Sequence, residues 1–375
     1  MVAIKKLSRI SGIFNRGLTP SIMEVLKSIG IDNLQIANAR TIKLTKRKGR
    51  FGIGSEMALI EDPGDIISFL VPPEQEQAAL NPIADIGGMK TPGRAMVYSE
   101  TVQLLKAHDL CQENSVNSDV EEKPAGLRAK LTGICCIVQR GKGNEVARVA
   151  LDTGTCVPGI SFGHGTGVRD KLGLLRITVP AEKEIINLVT SSHDAEAVMD
   201  MMIDVGKLDQ PGKGFIYLHP IADGIANMKV TLGMSRQAAS MEQIIAAVDK
   251  LKGNASWRRR TSTDNVGNSK RKRVFLENLT NLIFTCNEGR GEELVKAAMN
   301  VGAAGATIVK LRHHHTSDSE LSTISPAREE CNMIVGETQV PDIVDAIEKA
   351  GGFDDNTHGH VLIHPIPKAC TYLSK

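Results

Sequence analysis

Apolar and polar positions follow one order three times along the chain. An apolar, strand-like run ends in an amide residue, a charged residue and a glycine at Ile13-Phe14-Asn15-Arg16-Gly17 and at Ile137-Val138-Gln139-Arg140-Gly141. It does so again from Ile283-Phe284 through Asn287-Glu288-Gly289. Each run leads into a segment with apolar residues at helical spacing, at 20–29, 144–153 and 292–301. These segments stop at Gly30, Gly154 and Gly302, where a residue without a Cβ suits the left-handed turn that closes a helix.

The second half of the unit repeats too. A β-rich run (66–71, 185–190, 332–337) precedes a second helix (75–86, 194–205, 340–350). The segments 87–95, 206–214 and 351–359 then align without a gap and lead into a strand. In the last two copies that strand ends in nearly the same words, Leu218-His219-Pro220-Ile221 and Ile363-His364-Pro365-Ile366.

Each unit therefore reads β-α-β-β-α-β, and the expected class is α+β with three ferredoxin-like repeats. A four-stranded antiparallel sheet with two helices on one face leaves the other face needing a cover, and three such sheets can cover one another. The expected boundaries are repeat one at 1–111, a linker at 112–127, repeat two at 128–230, an insert at 231–274 and repeat three at 275–375. The insert carries an amphipathic helix at 241–251 and basic runs at Arg258-Arg259-Arg260 and Lys270-Arg271-Lys272-Arg273. With no aromatic interleaving beyond Trp257, these runs read as a solvated loop rather than a nucleic-acid contact.

Composition narrows the field. A chain of 375 residues is too long for one comfortable core, and 41% apolar with 23% charged residues is ordinary for a soluble protein. Only 3% of residues are aromatic, which argues against a base-stacking or carbohydrate-binding surface. A formal charge of +2 is too near neutral for a polyanion partner of the whole molecule. The seven cysteines lack metal-ligand spacing, and Cys135, Cys136 and Cys286 sit in apolar runs, so they read as reduced core residues. With no secretory leader and no apolar stretch long enough to span a bilayer, cytoplasm is the expected location.

These residues resemble the PII-like nitrogen and carbon signalling proteins. The resemblance is strongest in the middle copy. Gly163-His164-Gly165-Thr166-Gly167-Val168-Arg169-Asp170 looks like the base of the family's T-loop, Glu182-Lys183-Glu184 like the start of its third strand, and 206–214 like its B-loop. In the third copy, Gly302-Ala303-Ala304-Gly305-Ala306-Thr307 is similar to the family's turn into its second strand. Family members are homotrimers with an adenine nucleotide between neighbours, and they act by docking onto transporters, channels, enzymes or regulators. The resemblance thus implies an intramolecular pseudo-trimer whose three clefts need not be alike. It implies an adenine nucleotide (AMP, ADP or ATP) as ligand, and as partner a regulated protein such as a membrane transporter or a component of carbon and nitrogen metabolism.

The residues themselves point to a phosphate site in the middle copy. A phosphate needs converging backbone N–H groups and a mobile cation, and glycines let the backbone approach closely. Gly163, Gly165, Thr166 and Gly167 are placed on one side and Gly212 and Gly214 on the other, with Lys213 and Arg169 as counter-charges. The bland reading of these glycines is tight turns between strands. At the position of Lys213 the other copies have Arg94 and His358, and the third adds Asp354-Asp355, whose charges repel a phosphate. Gly305, Ala306 and Thr307 are the candidates to meet the base, with Asn33-Leu34-Gln35 of the first copy as the alternative.

Two connections depart from the T-loop pattern, a basic one at 43–50 and the histidine-rich 312–318. Adjacent histidines do not easily converge on one ion, so His313-His314-His315 read as surface residues rather than metal ligands, and His219 and His364 read as structural. An enzyme is the second class considered, but no nucleophile triad, HExxH or Walker motif is present. A third class is a scaffold that binds no nucleotide and merely presents its loops to a partner.

Overall fold

The computed structural model describes residues 4–48, 55–86, 95–111, 113–117, 130–167, 182–225, 273–315 and 324–373. Arg94, Arg169, the helix expected at 241–251 and the basic runs at 258–260 and 270–272 lie outside the described residues. Residues 1–230 and 275–375 form one compact body.

This body is α+β. Its first copy of the repeat runs β1 (Lys5–Asn15), α1 (Thr19–Ser28), β2 (Asn33–Lys48), β3 (Ser55–Val71), α2 (Glu76–Ile86) and β4 (Ala95–Ala107). The second runs β5 (Leu131–Gln139), α3 (Gly143–Asp152), β6 (Gly159–Gly167), β7 (Glu182–Ser191), α4 (Ala195–Gly206) and β8 (Gly214–Pro220), with β9 (Asp223–Ile225) after it. The third runs β10 (Leu279–Asn287), α5 (Gly291–Asn300), β11 (Gly305–His315), β12 (Ala327–Gly336), α6 (Val340–Lys349) and β13 (His360–Ile366), with β14 (Lys368–Thr371) after it. In space each copy orders its own strands second, third, first, fourth, and all belong to one 14-stranded antiparallel sheet.

Period-two alternation gives each strand two buried faces. Ile10 and Phe14 of β1 face α1 and α2, as Ile134, Cys136 and Val138 of β5 face α3 and α4, and Leu282, Phe284 and Cys286 of β10 face α5 and α6. The residues between them, Ile13, Cys135 and Ile283, pack toward the other copies. Each fully buried aliphatic side chain contributes roughly 1.5–3 kcal/mol. The glycines expected to close the first helices do so, with φ of +88° at Gly30, +66° at Gly154 and +115° at Gly302.

Two sets of ladders join the copies. In the first, the second strands meet pairwise, and all three junctions share one register: Arg40 opposite Ile160, His164 opposite Ile308, Arg312 opposite Ile36. In the second set, each copy lends the end of its chain to the fourth strand of another. The end of β4 lies along β13, β9 along β4 and β14 along β8.

Three expectations change. Residues 43–48 are not a basic connection but the end of β2, paired register for register with β3. His313 and its neighbours likewise belong to β11, whose last residues pair with β2, and His313 is buried. The start of the expected linker is docked: buried Asn114 accepts from the Asp32 and Asn33 N–H groups (3.1 and 2.8 Å) and donates to the Asn33 and Leu70 carbonyls. A polar residue can be part of a core when local backbone groups supply all its bonds.

Candidate binding cleft between the second and third units

Past His164, strand β6 parts from β7 and continues along β11. This brings together two of the expected site segments: Gly165 faces Thr307, Thr166 faces Ala306 and Gly167 faces Gly305. Gly163–Gly167 thus meets the third copy, and Asn33-Leu34-Gln35 lies instead against His313–His315.

The glycines of this junction serve close strand approach. A Cβ on Gly163 would stand 2.9 Å from Thr307 Cγ2, and one on Gly305, whose φ is +147°, would stand 2.2 Å from the Thr166 carbonyl oxygen. The Thr166 hydroxyl donates to the Ala306 carbonyl across the seam at 3.4 Å.

Gly212, Lys213 and Gly214 lie at the same end of the sheet but on its other side. Gly214 pairs with Val138, Val138 with Glu184, and Glu184 with Phe162. Three strand spacings, about 14 Å, therefore separate Gly214 from β6. The two glycine clusters do not converge on one point. Gly212 has φ +68°, and its carbonyl accepts from Gln139 Nε2 at 2.8 Å. Lys213 is exposed, and no side-chain partner is found for it among the described residues.

Between the two clusters stands Lys183, at the start of β7, paired with Gly163 and Gln139. Burial pulls its ammonium below the ordinary lysine value. Composition and spacing gave it no distinction, because its partly buried position follows from the register of β6 and β7. Arg140, beside Glu182 at 2.8 Å, adds an exposed ion pair.

The N-terminus of α3, another natural place for a phosphate, is already occupied by a carboxylate. Buried Glu184 accepts from the Gly141 and Gly143 N–H groups at 3.0 and 2.6 Å, and from Arg40 of the first copy at 2.8 Å. Asp65 and Glu329 hold the equivalent place in the other copies. Asp65 accepts from the Thr19 hydroxyl at 2.9 Å and Glu329 from the Gly291 N–H at 3.0 Å. Arg312 approaches Asp65 at 3.7 Å as Arg40 approaches Glu184. At the third equivalent position stands exposed His164.

The loop of the third copy, 351–359, is built differently. His358 stands in other surroundings than exposed Lys213: it is buried beside His108, with ring centroids 4.6 Å apart, and burial, His108 and Arg328 lower its pKa. Asp355 pairs with His108 at 2.9 Å. Among the described residues no group of three or more His, Cys, Asp or Glu side chains is placed to hold a metal ion, and no helix is long and apolar enough to cross a membrane.

No protein-family model matches the chain, and no curated protein matches it.

Proposed function

We propose that the chain is a covalent pseudo-trimer of PII-like, ferredoxin-like units acting as a non-enzymatic regulator, with an adenine nucleotide in the cleft between its second and third units. The observation that carries this reading is the common register of the three second-strand junctions, Arg40 with Ile160, His164 with Ile308 and Arg312 with Ile36. Identical registers on three non-identical strands are what a homotrimer leaves behind when its protomers are fused, and the trimeric fold is the one whose clefts hold nucleotides.

The second–third cleft is favoured because Lys213 and Lys183 supply cations there, while Gly212 and Gly214 keep the loop backbone approachable. In the third copy the corresponding loop is held by its own protein: buried Arg328 donates to the Thr357 and His358 carbonyls. A scaffold without nucleotide binding is the second reading, and this self-filled loop favours it for that copy. Occupancy regulates a partner only if the nucleotide binds two loop conformations unequally.

Isothermal titration with AMP, ADP, ATP and cyclic AMP tests the proposal, using the wild type and Lys213→Ala. One site per chain, lost or weakened at least tenfold in the variant, supports it. No heat with any nucleotide would sink it and leave the scaffold.

A further inference from the structure

The largest fully buried side chain among the described residues is a cation, Arg328 of β12, only 1% exposed. Its Nη1 donates to Asn287 Oδ1 at 2.5 Å and to the Thr357 carbonyl at 3.4 Å, and its Nη2 donates to the His358 carbonyl at 2.6 Å. Its Nε has no hydrogen-bond partner. On its flank lies Cys111, a thiol whose pKa burial raises. No carboxylate among the described residues lies within ion-pair distance of the guanidinium. A buried charge without a counter-charge costs several kcal/mol, and native structures rarely leave one so.

Beside Arg328 lies a cavity of about 50 Å³ between the first and third units. Its two carboxylates are already taken: Glu330 by Arg9 at 2.6 Å, and Glu113 by Lys5. Two imidazoles line it, and both are kept neutral. Burial first, and Arg328 next, push His313 down to about 4 and His360 to about 3. His360 Nδ1 and Gln35 Oε1 also lack partners. The Gln35 amide can turn its NH₂ inward, since which end faces the cavity is fixed only by its partners. The wall thus has two cations, Arg9 paired with Glu330 and Arg328 without a carboxylate, and several donors, with both carboxylates already engaged.

We propose that this cavity is a site for one small monovalent anion, a halide or a planar oxyanion of three or four non-hydrogen atoms, bound by Arg328 Nε and His360 Nδ1. In this measure a void holds a water once it reaches about 10–15 Å³, so a cavity of about 50 Å³ has room for an anion of a few atoms. Guanidinium N–H groups match a planar oxyanion edge-on, and charge-assisted bonds are about twice as strong as neutral ones. The anion joins elements of two units, β2 through Gln35 and β12 and β13 through Arg328 and His360. Its occupancy therefore tightens the contact between the first and third units.

The test uses the intact chain. Thermal unfolding is followed in sodium bromide, sodium nitrate and sodium sulfate at matched ionic strength, and crystals grown in bromide are measured at the bromine edge. The site predicts a saturable rise in Tm with bromide or nitrate but not sulfate, and anomalous density within hydrogen-bond distance of Arg328 Nε. A rise with nitrate alone assigns the oxyanion, and with bromide as well assigns any small anion. Equal shifts in all three salts, or a cavity without bromine density and without a nitrate effect, overturns the proposal. Arg328→Met removes the charge at similar length and should abolish the salt-specific rise. Should that variant fail to fold, the wild-type salt series and anomalous map still decide.

Discussion

Glu100 of the first copy and His219 of the second meet beside a cavity lined by all three copies, with His219 Nδ1 2.7 Å from Glu100 Oε1. They hold equivalent places, each four residues past the position paired with Ile13 or Ile137, and His364 is the third member of the set. The His219 and His364 ring centroids are 5.7 Å apart. In a homotrimer three copies of one residue would converge on the symmetry axis. In the proposed pseudo-trimer the three need not be alike, and here an acid and a base face each other. Burial alone would raise the Glu100 pKa, but His219, His364 and Arg9 together hold it at about 2.

The sign of the pH dependence follows. A carboxyl whose folded pKa is depressed contributes stability that is complete above its unfolded value and is lost as pH falls toward the folded one. The Glu100 contribution is therefore lost between about pH 4.5 and about pH 2. Glu100→Gln should lower stability at pH 7 by about 3–5 kcal/mol, the usual cost of breaking a buried pair. It should also flatten the pH dependence in that window, as read by urea unfolding at a series of pH values. An unchanged slope would show that other carboxyls carry the acid sensitivity.

Gly133 is the bed on which that pair rests. A Cβ placed there would stand 2.1 Å from His219 Nε2, so Gly133→Ala must push the ring aside. The expected cost is about 1–3 kcal/mol by overpacking. In a His219→Ala background the same substitution should cost almost nothing, because the ring is gone. A double-mutant cycle reads this directly, and additive effects would mean that the ring yields without loss.

Much of this arrangement was legible in the sequence, and the exceptions have a common cause. The helices and their closing glycines follow from local spacing, as did the shared Leu-His-Pro-Ile and Ile-His-Pro-Ile endings that mark His219 and His364. Glu100 escaped because the first copy has no such wording around it; only the β1–β4 register places it there. The strand character of 43–48 and the burial of His313 escaped for a related reason: β2 and β11 are long because they pair with other units, and local pattern does not encode a distant partner. Of the expected site segments, Gly163–Gly167 and Gly305–Thr307 come together as paired strands, a contact that local pattern does not announce, while two intervening strands hold Gly212–Gly214 apart from them.

Asn114 tests whether the chain just after β4 is connection or structure. Its buried amide binds backbone groups of both β2 and β3, and Val116 beside it is buried while its N–H donates to Gln75 Oε1 at 2.7 Å. Asn114→Ala leaves several buried backbone groups without partners, at about 1–3 kcal/mol for each one so stranded. A loss of roughly 2 kcal/mol or more in denaturant unfolding is expected. A change under ~0.5 kcal/mol, the range of ordinary surface substitutions, would return this segment to the role of a tether.

His164 offers the sharpest test of equivalence among the units. Arg40 and Arg312 each reach the carboxylate at the first helix of the neighbouring unit, Glu184 and Asp65, from one shared register position. His164 holds that position in the third junction, opposite Ile308, with Glu329 as the matching carboxylate. If side chains follow the backbone symmetry, His164→Arg should place a guanidinium beside Glu329. At this exposed position the gain should be modest, about 0.3–1 kcal/mol, and should shrink in high salt. Urea unfolding at low and high ionic strength measures both. A neutral or destabilising result at low salt would mean that the threefold relation ends at the backbone, and that the second–third cleft has been reshaped around its own side chains.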